Sequence, residues 1–252
     1  MNGRKVYPRT KQKQVTRPEK YTIRKDLPPI TIEGVKAFRI QATRSFGNVS
    51  EGDLGGFVEK EKNLSQEGIC WIYDNGKVIK DAEICDDAMV VHDALVSDRA
   101  KVRESAKVSG RSRILDDAIA EGFSEVSGDS VVRQRAVIRE NARISNHAEM
   151  SGDTELSGSA CLLQNARLLN FARATDFAKI FGYSTVMDHA IISGQAEISE
   201  CATISGKSVI CGRASISGMN FVSGESKISG ADMVLGCSLF RGPDGRPSYP
   251  EI

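Results

Sequence analysis

The chain has 252 residues, of which 40% are hydrophobic and 27% are charged, and its formal net charge at pH 7 is only +1. None of its apolar runs approaches the roughly 20 residues that a membrane-spanning helix needs, and the N-terminus lacks the hydrophobic core of a signal peptide. We therefore expect a cytoplasmic protein without a membrane span. The six cysteines show neither a C-x-x-C pair nor a histidine at metal-ligand spacing, so we predict reduced thiols, no metal site and no cofactor.

Residues 1–20 are predicted to form a basic, flexible arm. The segment contains Pro8 and Pro18 and no apolar period, which is typical of disorder. Its cationic residues outnumber the single acidic residue, Glu19. They are Arg4, Lys5, Arg9, Lys11, Lys13, Arg17 and Lys20. A solvated tail is one interpretation of this charge, and an anionic partner such as nucleic acid or a membrane surface is the other.

Residues 21–75 are predicted to form a small N-terminal β cap. The stretch from Ile30 to Ile40 resembles a hairpin that turns near Gly34, and residues 70–75 almost match the repeat that follows, with Trp71 as the only tryptophan. The glycines of residues 52–56 are predicted to be turn residues. A phosphate-binding loop would need a lysine and a following helix, which this segment lacks.

From Gly76 to Cys237 the chain repeats a six-residue pattern 27 times without an insertion or deletion. The first position is small or short, and the third is aliphatic or Met except at Ala120 and Ala174. A period of six cannot keep one face of an α-helix apolar, whereas a short strand followed by a corner can. The fifth position supplies the corner, because it is Gly in 13 hexads and Asp or Asn in 7.

Three hexads per turn predict a triangular, parallel β-helix of about nine 18-residue coils in an all-β protein. Unbroken hexads favour a left-handed superhelix. However, glycine follows the aliphatic residue one position later than is usual in left-handed folds, so a right-handed helix stays open. Residues 18 apart should stack, and charges of opposite sign indeed alternate along such rows. One row is Asp81, Arg99, Asp117, Arg135 and Asp153, and another is Asp93, Arg111, Asp129 and His147.

Residues 160–189 depart from the serine-rich surface of the later coils. Outward positions there carry large apolar side chains, which we call the belt: Leu163, Leu169, Phe171, Phe177, Phe181, Tyr183 and Met187. An apolar belt on a soluble protein indicates association. The alternative is packing, because Phe177 follows the undersized interior residue Ala174, as Phe123 follows Ala120. Beyond residue 237, the segment 238–252 contains three prolines and is predicted to be a C-terminal cap or tail.

The cap also carries a family resemblance. The segments 46–58 and 63–74, with the sequences FGNVSEGDLGGFV and NLSQEGICWIYD, resemble the cap signature of YdcK-like hexapeptide-repeat β-helix proteins of bacteria, prophages and phages. The resemblance covers about residues 21–237. It implies a hexapeptide β-helix, an origin in a bacterium, prophage or phage, and an acyltransferase-like label inherited from the wider fold class. It implies no substrate and assigns no catalytic residue.

Three functions are compatible with these features. The favoured one is a non-catalytic β-helix that forms a dimer or trimer, or docks to a host or virion protein, through the belt. The alternative is an acyltransferase that acts on a CoA or nucleotide-sugar substrate, with His147 or His189 as the base. An uninterrupted prism has no extruded loop to bury such a substrate. The third is a nucleic-acid mimic, which the alternating charges argue against.

Overall fold

The computed structural model describes residues 18–237 and 239–241. Six of the seven predicted arm cations, all except Lys20, and residues 242–252 of the predicted tail lie outside the described residues. Within them the chain is all-β apart from one 3-10 turn, Glu61–Asn63. None of the described elements is a helix long and apolar enough to cross a membrane.

The cap strands, in chain order, are β1 (Tyr21–Ile23), β2 (Ile30–Ile32), β3 (Val35–Ala42) and β4 (Leu54–Val58). The solenoid strands that follow are β5 (Trp71–Ile72), β6 (Lys77–Val78), β7 (Glu83–Ile84), β8 (Met89–Val90), β9 (Leu95–Val96), β10 (Lys101–Val102), β11 (Lys107–Val108), β12 (Arg113–Ile114), β13 (Ile119–Ala120), β14 (Glu125–Val126), β15 (Val131–Val132), β16 (Val137–Ile138), β17 (Arg143–Ile144) and β18 (Glu149–Gly152). The second half comprises β19 (Glu155–Leu156), β20 (Cys161–Leu162), β21 (Arg167–Asn170), β22 (Arg173–Ala174), β23 (Lys179–Ile180), β24 (Thr185–Val186), β25 (Ile191–Ile192), β26 (Glu197–Ile198), β27 (Thr203–Ile204), β28 (Val209–Ile210), β29 (Ser215–Ile216), β30 (Phe221–Ser223), β31 (Lys227–Ile228), β32 (Met233–Val234) and β33 (Leu239–Arg241).

Each solenoid strand pairs in parallel with the strand three places later in the chain, and this pairing produces three long sheets. We call these sheets face 1 (β6, β9 and onward to β33), face 2 (β7 to β31) and face 3 (β5 to β32). Corner 1 follows face 1, corner 2 follows face 2, and corner 3 follows face 3 and leads back to face 1. The register is 18 residues, as in Lys101 opposite Ile119. The predicted parallel β-helix is therefore confirmed, and its handedness stays a prediction.

The hexad positions have the predicted roles. Third-position side chains such as Val102, Ile138 and Ile204 are completely buried, as are the alanines of the first position. Several first-position serines are buried as well, because their hydroxyls donate to the carbonyl three residues earlier. Ser112 and Ser208 are examples, each at 2.7 Å. The small first position thus fits beside the corner, and the aliphatic third position fills the interior.

Every fifth-position residue of the repeat has a positive φ, between 56° and 98°. This left-handed backbone is easy for glycine, yet Lys, His, Glu and Gln adopt it here too, as at Lys80 (56°) and Glu104 (58°). The predicted corner is therefore confirmed in all 27 hexads.

The solenoid extends beyond both predicted ends. Parallel pairing begins at Phe57, which lies opposite Lys77, and β5 is a complete hexad strand paired with β8. At the other end β33 continues face 1 beside β30, so Leu239–Arg241 is not part of a separate tail. The chain therefore makes about ten turns, where nine were predicted. The first turn is longer than the others, because Phe57 and Lys77 are 20 residues apart.

The cap closes the N-terminal end of face 1 with antiparallel strands. Strands β1 and β2 each pair with β3, β3 pairs with β4, and β4 joins the solenoid through β6. Trp71 fills the space between the cap and the first coil. Its ring is edge-on to Phe46 and to Tyr21, with 5.3 Å and 6.3 Å between the ring centroids. Burial raises the pKa of the Tyr21 hydroxyl well above its usual range.

The glycines of residues 52–56 do not all lie in turns. Gly52 does, with a φ of 92°, but Gly55 and Gly56 lie inside β4. A Cβ at Gly55 would lie 2.6 Å from the Trp71 ring, and one at Gly56 would lie 2.4 Å from the carbonyl oxygen of Gly76. The prediction of turn residues was wrong for these two glycines, because close packing of β4 on the first coil requires them.

The charged rows predicted from the sequence form ion pairs between successive coils. Arg99 donates two hydrogen bonds to Asp117, both at 2.6 Å, and Arg111 binds Asp129 in the same way at 2.6 and 2.7 Å. Arg135 pairs with Asp153. At the N-terminal end of corner 1, hydrogen bonds from Lys62 and Lys60 lower the pKa of Asp81 to about 2. These pairs are exposed, so each contributes modestly to stability and chiefly opposes a slipped register.

A second row of contacts runs along the corners and involves the fifth-position side chains. A carboxylate or amide oxygen there accepts a hydrogen bond from the backbone N–H of the fifth residue in the next coil. Examples are Glu104 to Gly122 (2.8 Å), Gln164 to Gly182 (2.7 Å) and Asp176 to Gly194 (2.8 Å). This explains why acidic and amide residues accept the left-handed conformation, since their hydrogen bond offsets the strain.

We expect Asp176→Ala to be less stable than Asp176→Gly. Both changes remove the bond to Gly194, at about 1 kcal/mol, but alanine keeps a side chain at a φ of 61°. Glycine relieves that strain, which is worth roughly 1 kcal/mol. Urea unfolding of the two variants and the wild type would measure the order. Equal stability of the two variants would contradict this account of the corner.

Candidate functional site

The belt lies on two adjacent faces and at all three corners of the rod. Leu163 and Phe181 are fourth-position residues of face 3, and Leu169 and Met187 occupy the same position on face 1. Tyr183 stands at corner 3, between these faces, and is 70% exposed. Phe171 and Phe177 lie at corners 1 and 2, the outer edges of the two faces, and are 50% and 61% exposed. The belt is therefore centred on Tyr183.

Face 2 does not take part in the belt. Its fourth-position residue in the same coil is Thr175, with Ser157 and Ser193 on the neighbouring coils. Faces 1 and 3 differ from face 2 in their fourth-position residues, but they share one pattern. The face 3 row runs Ser145, Leu163, Phe181, Ser199, and the face 1 row runs Ser151, Leu169, Met187, Ser205. The result is an apolar patch two coils high on a serine surface, and Leu163, Leu169, Phe181 and Met187 are half-buried within it.

The packing explanation for the belt is not supported at Phe177. A ring that compensated for the small interior residue Ala174 would have to be buried, yet Phe177 is 61% exposed while Ala174 is fully buried. Phe123, which follows Ala120 at the same corner three coils earlier, is 69% exposed. Both rings therefore lie on the surface. Phe123 stands apart from the belt and offers a natural comparison for it.

His189 lies beside the belt at corner 1. Its imidazole stacks on the Phe171 ring, with 4.8 Å between centroids and 15° between planes. On the other side, Phe171 ends an open cavity of about 550 Å³ along the corner. Its lining is otherwise polar: Arg99, Asp116, Asp117, Gln134, Arg135, Gly152, Asp153 and Asn170. The Arg99–Asp117 and Arg135–Asp153 pairs occupy much of this lining.

His147 lies at corner 3 and is exposed. Its Nδ1 is 3.6 Å from Asp129, whose two oxygens already accept hydrogen bonds from Arg111. Those bonds hold the pKa of Asp129 below its usual value. A cavity of about 340 Å³ beside His147 is lined by Gly128, Asp129, Asn146, Gln164 and Asn165. The two candidate histidines thus lie at different corners. His92 is a corner residue whose Nδ1 accepts from Gly110 at 3.4 Å.

Lys20 is not part of a flexible arm, and its assignment to an anion-binding segment was wrong. Its side chain is completely buried in the cap. The ammonium donates to the carbonyl oxygens of Cys70 (3.0 Å) and Glu67 (3.1 Å) and lies 3.2 Å from the Cys70 sulfur. An isolated lysine gives no sequence signal for burial. The only clue was that Cys70 opens the hexad that contains Trp71.

The six cysteines are free thiols, and Cys70 is the buried one. Burial, together with the carboxylate of Asp86, raises the pKa of Cys85 to about 11. Among the described residues no group of His, Cys, Asp and Glu is arranged to hold a metal ion.

Comparison with known proteins adds no relative: no model of a protein family matches this chain, and no curated protein matches it significantly. The resemblance of the cap to YdcK-like proteins therefore stays a prediction from segments 46–58 and 63–74.

Proposed function

We propose that this chain is a non-catalytic β-helix that binds protein through the belt, either a second copy of itself or a host or virion protein. The resemblance of the cap favours a phage or prophage origin, which would put it in the cytoplasm of a bacterial host. Free thiols accord with such a reducing compartment.

The observation that carries this proposal is the apolar patch centred on Tyr183. Aromatic residues and Met are enriched at the centres of protein interfaces, and here they replace serine on two faces at the same height of the rod. A partner that fits over corner 3 would contact both faces at once. Much of the remaining solenoid surface carries paired charges and serine, which are poor anchors, although other large apolar side chains are exposed outside the belt, among them Phe123, Met219 and Met233.

We expect Tyr183→Asp to weaken association by about 2 kcal/mol, roughly thirtyfold in Kd, because it places a charge at the centre of the contact. The matched control is Phe123→Asp, whose ring is 69% exposed outside the belt. Light scattering behind size exclusion would report the mass of each variant. If the wild type and Phe123→Asp have a mass that is a multiple of 27.4 kDa and Tyr183→Asp is a monomer, the partner bound at the belt is a second copy of this chain.

A monomeric wild type would direct the test to other proteins. The wild type, Tyr183→Asp and Phe123→Asp would then each be used for pull-down from a host lysate. We expect the wild type and Phe123→Asp to retain a partner that Tyr183→Asp loses. Circular dichroism would check that each rod is folded. Equal assembly and equal capture by all three proteins would contradict the proposal.

The second candidate is the acyltransferase, which the pairing of His147 with Asp129 favours because a carboxylate orients a basic imidazole. Its weakness is that Arg111 already binds both oxygens of Asp129, and that His147 faces open solvent. Titration with acetyl-CoA separates the functions. Saturable binding that His147→Ala abolishes would favour catalysis, and no binding at millimolar concentration would eliminate it.

A further inference from the structure

The buried pair of Lys20 and Cys70 has a geometry that neither the fold nor the belt explains. Both side chains are completely buried, and the Nζ atom lies 3.2 Å from the sulfur. A buried lysine usually faces a carboxylate, because an ammonium loses much hydration energy on burial. The hydrogen-bond partners here are two backbone carbonyls and a thiol. The Phe46 ring adds a cation–π contact at 5.3 Å.

The surroundings hold the two reactive atoms against each other. The carbonyls of Cys70 and Glu67 fix the amine, and the sulfur lies 3.7 Å from the carbonyls of Ser65, Glu67 and Ile84. Lys20 itself is tied to the cap, because its backbone N–H donates to the Gln66 side chain at 2.7 Å. The pair is thus fixed in position, and an oxidised product would be enclosed in protein.

We propose that Lys20 and Cys70 are a modification site, at which molecular oxygen converts the pair into a covalent N–O–S bridge. The Lys20 ammonium first releases a proton. The resulting amine loses one hydrogen, the thiol loses its hydrogen, and the two oxygen atoms of dioxygen become the bridging oxygen and the oxygen of one water molecule. New N–O and O–S bonds form while the O–O bond breaks. Nitrogen and sulfur each give up two electrons, and dioxygen accepts all four. Two molecules of a dithiol reductant supply four electrons that cleave the bridge, restore the amine and the thiol, and release the bridging oxygen atom as water.

The bridge joins residue 20 to residue 70 and so encloses the cap, including β1 to β4. It would act as a disulfide does, by restricting the unfolded chain, and would hold β1 on the first coil. The oxidised protein is therefore expected to melt at a higher temperature than the reduced protein, and dithiothreitol is expected to remove the difference. Unlike a disulfide, the link needs only one cysteine, and the neighbour of Cys70 here is a lysine.

Intact-mass and peptide mass spectrometry of the full chain provide the test. After exposure to air-saturated buffer, we expect a mass gain of one oxygen less two hydrogens, lost again in dithiothreitol, and a cross-linked peptide pair that contains Lys20 and Cys70. Lys20→Met and Cys70→Ser should both abolish the gain. The exposed residues Lys62 and Cys201 supply matched controls, and Lys62→Met and Cys201→Ser should keep it.

Three results would overturn the proposal, and all of them come from the wild type, so they do not depend on the folding of a variant. The first is an unchanged mass after prolonged exposure to oxygen. The second is a gain of a whole oxygen atom at Cys70, which indicates a sulfenic acid. The third is a cross-link between other residues.

Discussion

Trp71→Ala is expected to lower the free energy of unfolding by about 3–5 kcal/mol, the range for loss of a large aromatic side chain from a core. Trp71 is only 1% exposed, and its ring contacts Phe46 and Tyr21 edge-on. No neighbouring hexad can fill the cavity that the missing ring would leave, because the antiparallel cap on one side of Trp71 does not have the hexad structure of the coil on the other side. Guanidinium unfolding monitored by circular dichroism would measure the loss.

The control for this change is Phe123→Ala, which removes an aromatic ring that is 69% exposed. We expect it to alter stability by no more than about 0.5 kcal/mol. If Trp71→Ala were equally mild, the cap would not be packed on the first coil as the structure shows. Protease digestion would then reveal whether the cap is detached in the wild type as well.

Gly56→Ala is expected to cost about 3 kcal/mol or more, although it adds a single methyl group. That methyl would lie 2.4 Å from the Gly76 carbonyl oxygen and from the Ile72 side chain, and neither can move without separating β4 from the first coil. Chemical unfolding together with limited proteolysis of the cap would detect the effect. We expect cleavage among residues 18–56 well before the coils are lost.

Gly34→Ala is the matched control for Gly56→Ala. Gly34 has a φ of 78°, but nothing lies within 4 Å of an added Cβ. Only backbone strain of roughly 1 kcal/mol is expected there. Should the two variants be equally stable, steric contact in β4 would not be the reason for its glycines.

The solenoid was predictable from the sequence because each of its rules recurs 27 times. Corners, buried third positions and the ion pairs of Arg99 and Arg111 all follow from one period and one stacking distance of 18 residues. The extra turn was missed because its spacing is 20 residues, which shifts Phe57 and Leu64 out of the hexad count.

The cap and the fine structure of the belt were less predictable. Gly56 and Lys20 are each single residues whose role depends on neighbours distant in the sequence, Gly76 and Cys70, and no period links them. The belt residues were all identified from their apolar character. Their concentration on faces 1 and 3 depends on which hexad lies on which face, and the three-sheet topology supplies that assignment.

The 18-residue register also limits how such a gene can change in length. Loss or duplication of one hexad keeps every strand and corner intact, yet it rotates all later residues by one side of the triangle. A six-residue deletion between Arg111 and Asp129 would therefore separate the two by a whole face, and would move Tyr183 away from corner 3. Only changes in multiples of three hexads conserve the surface, so whole coils are the unit in which this molecule can grow or shrink and still present the same sides.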